Sequence, residues 1–175
     1  MDNFGFGFSI NQSLIINHKL FLMFGAEYNN TRQFKYIMTE GKYSHTTDIN
    51  YSFNSLSLPV SIRFQPGNKY EYFVELGFFF DPLTKIREEG MLHTYLPNQN
   101  GQYDYKVDDI VDSYFAKNSN YGPLGAIGIK FPNNFYNLII KIDYKYGIPE
   151  LFNGLHPIYN RYIRISLGIR FNNFK

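Results

Sequence analysis

The 175-residue chain contains neither cysteine nor tryptophan, and it has no long apolar run. Without cysteine, disulfides, cysteine-ligated metals and thiol nucleophiles are excluded. The longest apolar stretches, such as 20–26 and 76–80, are far shorter than the roughly 18 residues that a membrane-spanning helix needs. The four histidines show no metal-ligand spacing, and neither a glycine-rich phosphate loop nor a nucleophile elbow occurs. We therefore expect no metal and no cofactor.

The chain also has little excess of one sign of charge, because its formal net charge is only +2. This balance gives no reason to expect a nucleic-acid partner. Aromatic residues, in contrast, make up 19% of the chain as 18 Phe and 16 Tyr. Such an excess needs either a large core or a lipid interface. The length fits a single domain, residues 1–175, and the first residues show neither the basic nor the apolar region of a signal peptide.

Apolar and polar residues alternate along much of the chain. From Leu56 to Phe64 every even position is apolar, whereas every odd position is small, polar or proline. The segment 163–171 repeats the pattern. Side chains on a strand alternate between its faces, so each segment has one apolar face and one polar face. Five further segments read in the same way and bring the predicted all-β chain to seven strands: 4–10, 20–29, 71–80, 121–131 and 135–147.

The connections between these strands alternate in length. Short turns are predicted at 16–19, 66–69 and 132–134. Long polar segments, predicted as extracellular loops, separate the resulting hairpins at 30–52, 82–120 and 148–158, and residues 31–50 read as extensions of the flanking strands. Short turns on one side and long loops on the other are typical of an up-and-down antiparallel transmembrane β-barrel of the bacterial outer membrane.

The composition of the two faces indicates which solvent each one meets. In a membrane barrel the apolar face contacts lipid and the interior is small, polar and charged. Aromatic residues gather at strand ends, where an interfacial girdle is expected: Tyr28, Phe53, Phe64, Tyr72, Phe80, Phe131, Tyr136, Tyr144, Tyr146 and Phe171. The polar faces carry charges of both signs, to which Lys145 also belongs, and we predict a lumen charge network of Glu27, Arg63, Glu71, Glu75, Lys130, Lys141, Asp143, Arg164 and Arg170.

Several of these segments resemble a known family. The chain has Glu27-Tyr28 closing a strand, the strand 57–64, and the glycine-containing segments 73–77, 125–128 and 144–148. In this order they are similar to the outer-membrane β-barrel domains of Bacteroidetes, including PorT-like proteins. The ending with Gly168, Arg170 and Phe171 resembles the terminal signal that the barrel-assembly machinery recognises.

The resemblance implies an eight-stranded barrel and no single activity. Because seven strands are visible and bacterial single-chain barrels have even numbers, we expect the first strand to be encoded before Met1. The function expected is structural or interactive, linked to secretion or envelope assembly, with a filled lumen and no enzymatic activity. The expected partners are outer-membrane lipid, the barrel-assembly machinery, and an envelope protein that contacts residues 82–120.

Two other interpretations use the same residues. An outer-membrane enzyme acting on lipid or protein would place His156 beside Glu150 at the rim, with His45 or His93. Glu71 and Glu75 can be read as a catalytic pair, or as interior charges that balance Arg63 and Arg164. A soluble calycin-like barrel would instead turn the apolar face inward around a hydrophobic ligand.

Overall fold

The computed structural model describes residues 5–39, 44–67, 71–98, 100, 102–132, 136–151 and 158–171. This part of the chain is all-β, as predicted, and it contains no helix that is long and apolar enough to cross a membrane. Eight strands are present: β1 (Gly5–Ile15), β2 (Leu20–Thr39), β3 (Ser44–Phe64), β4 (Glu71–Pro97), β5 (Tyr103–Phe115), β6 (Asn120–Pro132), β7 (Tyr136–Tyr146) and β8 (Arg161–Phe171).

The strands form one antiparallel sheet. Seven of them lie in the order β1-β2-β3-β4-β6-β7-β8, and these correspond to the seven predicted strands. β5 lies off this path and, within the described part of the chain, pairs only with β4. Within the described residues β1 and β8 are not hydrogen-bonded to each other, so the sheet is not closed into a barrel.

The prediction that 82–120 is a long loop is wrong. β4 continues through this segment to Pro97, and β5 returns alongside it with Lys85 opposite Phe115 and Pro97 opposite Tyr103. The sequence of this hairpin shows no alternation of apolar and polar residues, because charged residues lie on both of its faces. Asn98 stabilises the reversal, since its side-chain oxygen accepts hydrogen bonds from the backbone amides of Asn100 and Gln102.

The segment 30–52 contains the predicted strand extensions. β2 continues to Thr39 and β3 begins at Ser44. Together with β4 and β5 they form a four-stranded extension beyond the seven-stranded part, which we call the ribbon. We call the end of the sheet that carries the ribbon the extended end. At the opposite end, which we call the short-turn end, β1, β3 and β6 end and β2, β4 and β7 begin.

The two faces of the sheet have opposite composition. On β3, odd-numbered side chains such as Ser57, Ser61 and Arg63 are buried, whereas even-numbered ones such as Leu58 and Val60 are exposed. We call the buried side the inner face and the exposed side the outer face. The charged residues therefore lie inside and the aliphatic residues outside, the reverse of a water-soluble barrel.

Candidate functional site: an apolar outer belt around a buried charge network

A continuous apolar surface covers the outer face of the seven-stranded part. Leu58, Val60 and Ile62 are 43%, 51% and 52% exposed, whereas Arg63 is only 4% exposed. The calycin-like interpretation requires the reverse arrangement. We call this surface the apolar belt; its exposed members include Phe8, Ile10, Leu56, Leu58, Val60, Ile62, Phe64, Val74, Leu76, Phe78, Phe80, Leu83, Ile127, Ile140, Ile142, Ile163, Ile165, Leu167 and Ile169.

The belt has the height of a hydrocarbon layer. On β3 it extends over nine residues, from Leu56 to Phe64, and a tilted strand crosses a bilayer core in about 9–11 residues. Tyrosines border it at both ends, with Tyr72 and Tyr136 at the short-turn end. At the extended end the Tyr28 hydroxyl donates a hydrogen bond to the Asn54 side chain over 2.8 Å.

Phe53 does not belong to this aromatic border, contrary to the prediction. Its side chain is on the inner face and 1% exposed. Position 53 is odd, and the odd positions of β3 point inward along the whole strand. The side chain of Phe171 lies outside the described residues.

A charge cluster lies on the inner face towards the extended end. The Lys145 ammonium is 2.5 Å from Glu27 and donates to the Ser57 hydroxyl over 2.8 Å. The Arg164 guanidinium contacts the other Glu27 oxygen at 2.9 Å and Asp143 at 3.0 Å. These charged groups come from three strands, so the cluster connects β2, β7 and β8 across the inner space. Every member is buried.

A second cluster lies nearer the short-turn end. Arg63 Nε donates to Glu75 over 2.7 Å, and the guanidinium stacks on Phe73 with its central carbon 4.0 Å from the ring centre. The Lys141 ammonium is 3.8 Å from both Glu75 and Asp143. Lys141 therefore links the two clusters into one network.

The two carboxylates that could form a catalytic pair are held by different cations. Glu75 is bound by Arg63, whereas Glu71 contacts Lys130 and the amide of Gln65. Both lie on the inner face of β4, two inward positions apart. The structure therefore brings Glu75 and Arg63 together as expected, but it places Arg164 against Glu27 and Asp143 instead.

Further buried polar residues join this inner face. Asp81 is fully buried and accepts a hydrogen bond from the Asn120 side chain over 3.0 Å. Asn29 accepts one from Arg164 over 2.9 Å. Asp81 was missed because it directly precedes Pro82, where the loop was predicted to begin. Alternation could have placed Asp81 on the inner face, because position 81 continues the odd, inward-pointing positions of β4. The Arg170 side chain lies outside the described residues.

The inner face of the ribbon is apolar and covered. Its buried cluster includes two residues of the β7–β8 connection, so the described part of the predicted loop 148–158 folds back onto the ribbon. Ile110 and Tyr114 of β5 pack against this cluster, which consists of Ile49, Tyr51, Phe53, Ile86, Leu151 and Ile158. The inner space is therefore covered by apolar side chains at the extended end.

The carboxylate of Glu88 acts on two tyrosines of the ribbon. The Tyr114 hydroxyl donates a hydrogen bond to Glu88. Burial, followed by the negative charge of Glu88, raises the pKa of Tyr51 to about 12. Burial and the hydrogen bond to Glu88 raise the pKa of Tyr114 as well. Both groups therefore stay protonated at neutral pH.

A cleft of about 1380 Å³ opens between the inner faces of β1 and β8. It is lined by small and polar residues of β1, such as Ser9 and Asn11, and by Arg164, Ser166 and Gly168 of β8. This cleft marks the side at which the sheet is not closed.

The residues of the predicted rim enzyme are not brought together in the described part of the chain. His156 lies outside it. His93 is on the outer face of the ribbon, stacked on Tyr105, whereas His45 is on the inner face. The Glu150 backbone oxygen accepts a hydrogen bond from Asn118. Across the described residues no three His, Asp or Glu side chains are arranged to hold a metal ion.

Comparisons with protein-family models, with curated proteins and with solved structures give no match for this chain.

Proposed function

We propose that this chain is an integral β-barrel protein of a bacterial outer membrane, with a lumen filled by its own side chains. The observation that carries the proposal is the inverted polarity of the sheet, with an apolar outer belt and a charged, buried inner face. A soluble monomer rarely exposes a contiguous apolar patch larger than a few hundred Å². Lipid removes this cost, because acyl chains are as apolar as the belt.

The inner network supports a filled lumen and argues against passive diffusion. Buried charges are tolerated when each is paired and hydrogen-bonded. Lys145 and Arg164 cross the inner space to Glu27, and the apolar cluster of the ribbon covers the extended end. An eight-stranded barrel has room for little more than its own side chains. We therefore propose a structural or interaction role in secretion or envelope assembly, as for a PorT-like barrel, in which the ribbon contacts an envelope protein.

We further propose that one more strand closes the barrel between β1 and β8. In a seven-stranded meander the first and last strands run in the same direction, so their direct pairing would be parallel, whereas such barrels are antiparallel with even strand numbers. Unpaired backbone groups in lipid cost several kcal/mol each. A strand antiparallel to both edges would remove this cost. Direct pairing of β1 with β8, measured by cross-linking of cysteines introduced into these two strands, would contradict this part of the proposal.

Membrane insertion is tested by fractionation followed by a gel of unheated and boiled samples. We expect the protein in the outer-membrane fraction, resistant to carbonate, with a folded form that migrates differently from the boiled form. Recovery in the soluble fraction, or carbonate extraction without a mobility shift, would contradict the proposal and favour the calycin-like alternative. Assembly through the terminal segment is tested by Phe171→Ala, which is expected to reduce the heat-modifiable form.

A further inference from the structure

Three basic side chains lie together on the outer face of the ribbon, directly beyond the apolar belt. The last row of the belt is Tyr28, Leu56 and Leu83, which are cross-strand neighbours on β2, β3 and β4. In the next row Asn54 lies between Asn30 and Lys85. The row after that places Arg32 and Arg87 on either side of Ser52. All three basic side chains are exposed.

The spacing allows the three cations to act on one group. Arg32 and Arg87 are separated by one strand, which sets their Cα atoms about 10 Å apart. Lys85 is two residues from Arg87, or about 7 Å along the same strand. Ser52 between the arginines is small, so the long flexible side chains of the cations can converge above it.

The two rows of β2, β3 and β4 that carry the three cations contain no acidic residue. The outer-face acids lie farther from the belt: Glu89 in the next row, and Asp48 and Asp109 in the row beyond. Among the described residues Arg32 and Lys85 have no ion-pair partner. Arg87 contacts Glu89, but the two side chains are 57% and 49% exposed. An exposed ion pair of this kind contributes little to stability, so Arg87 can exchange Glu89 for another anion.

We infer that Arg32, Lys85 and Arg87 form a binding site for the phosphate of an anionic lipid headgroup. This inference rests on the proposed function, because the acyl chains of the same lipid would lie against Leu56 and Leu83. Guanidinium groups bind phosphate through two parallel N–H donors, and lysine adds a point charge. A positive cluster at the height where the belt ends is therefore suited to a lipid, which offers the phosphate and the apolar chain together.

The test uses the full chain folded in detergent micelles, with phosphatidylglycerol and phosphatidylcholine of equal chain length as competing probes. Retained lipid is counted by native mass spectrometry. The variant replaces all three cations (Arg32→Gln, Lys85→Gln, Arg87→Gln). The matched control removes the same charge at exposed sites elsewhere (Lys19→Gln, Lys106→Gln, Lys117→Gln). We expect the wild type and the control to prefer phosphatidylglycerol. In the variant this preference should fall by about fivefold for each of the three cations that it lacks, because one cation near the surface contributes about 1 kcal/mol.

Equal loss in the variant and the control would overturn the inference, because general electrostatic attraction would then explain the preference. Stabilisation of the wild type by inorganic phosphate as strong as that by the lipid would overturn the headgroup assignment. Heat modifiability is measured on each variant in parallel. A folded, heat-modifiable variant that keeps its lipid preference contradicts only this inference, whereas absence of heat modifiability in the wild type contradicts the proposed function itself.

Discussion

At the scale of single residues, the buried ion pairs determine which substitutions the inner face tolerates. Lys145 is fully buried and contacts Glu27 and Ser57. A buried charge that loses its partner is costly, whereas replacing both partners by neutral groups can be nearly neutral. Alternation gives the face of a residue, but it could not predict that Lys145 on β7 contacts Glu27 on β2, because three other strands lie between them in the sheet.

Lys145→Met is expected to destabilise the protein by about 3–5 kcal/mol, because Glu27 keeps only Arg164 as a cation. Adding Glu27→Gln to this variant should restore part of the loss. The measurement is the urea midpoint of unfolding in detergent. Lys106→Met is the control, since Lys106 is 65% exposed in its pair with Asp108 and should change stability by less than about 1 kcal/mol. Equal effects of the two substitutions would contradict the buried network.

The ribbon should open at alkaline pH. The pKa of Tyr51 is raised to about 12 from an ordinary value of 10.0. A raised pKa means that the folded state holds the proton more tightly, so the stabilisation is complete below pH 10 and is lost as pH rises towards 12. Tyrosinate absorbance and near-ultraviolet dichroism should change together in this range. Tyr51→Phe should weaken the transition, whereas Tyr36→Phe, exposed on the outer face, should leave it unchanged.

At the scale of strands, hydrophobic alternation was sufficient to predict a strand wherever one of its faces is uniformly apolar. The seven strands of the meander were predicted because their outer faces are continuously apolar. β5 was missed because neither of its faces is uniform: Asp108 and Asp112 lie on one side, and Asp109 on the other. The charges also explain why a strand with a free edge can remain exposed, since charged side chains discourage pairing with another chain.

Position on a strand should decide the effect of an added charge on the outer face. Val60→Arg is expected to cost about 2–4 kcal/mol in a bilayer, because Val60 lies in the middle of the belt. Asn50→Arg, on the outer face of the same strand but within the ribbon, should have little effect. Reversible unfolding from lipid vesicles provides the comparison. Equal, small effects of the two substitutions would contradict the account, since an arginine at position 60 would be harmless on a surface that faces water.

At the scale of the whole molecule, the inverted polarity gives the chain one consistent arrangement. In the proposed barrel the belt would set the height of the hydrocarbon layer, with tyrosines at its borders, and the charges of the inner face neutralise each other in pairs. The composition and alternation of the sequence already predicted this arrangement of faces. The sequence could not predict that Ile110 and Tyr114 of β5 pack against a cluster that includes Leu151 and Ile158, because these two residues come from a connection distant in the chain.

The absence of cysteine permits the most direct test of the central claim, because a single cysteine can be introduced at Val60, Leu167 or Asn50 and labelled with a fluorophore. Each labelled protein is folded in vesicles and exposed to lipids with brominated acyl chains or to a water-soluble quencher. Labels at positions 60 and 167 should be quenched by the brominated lipid and protected from the soluble quencher, whereas the label at position 50 should behave in the opposite way. Quenching of positions 60 and 167 by the soluble agent alone would contradict the account.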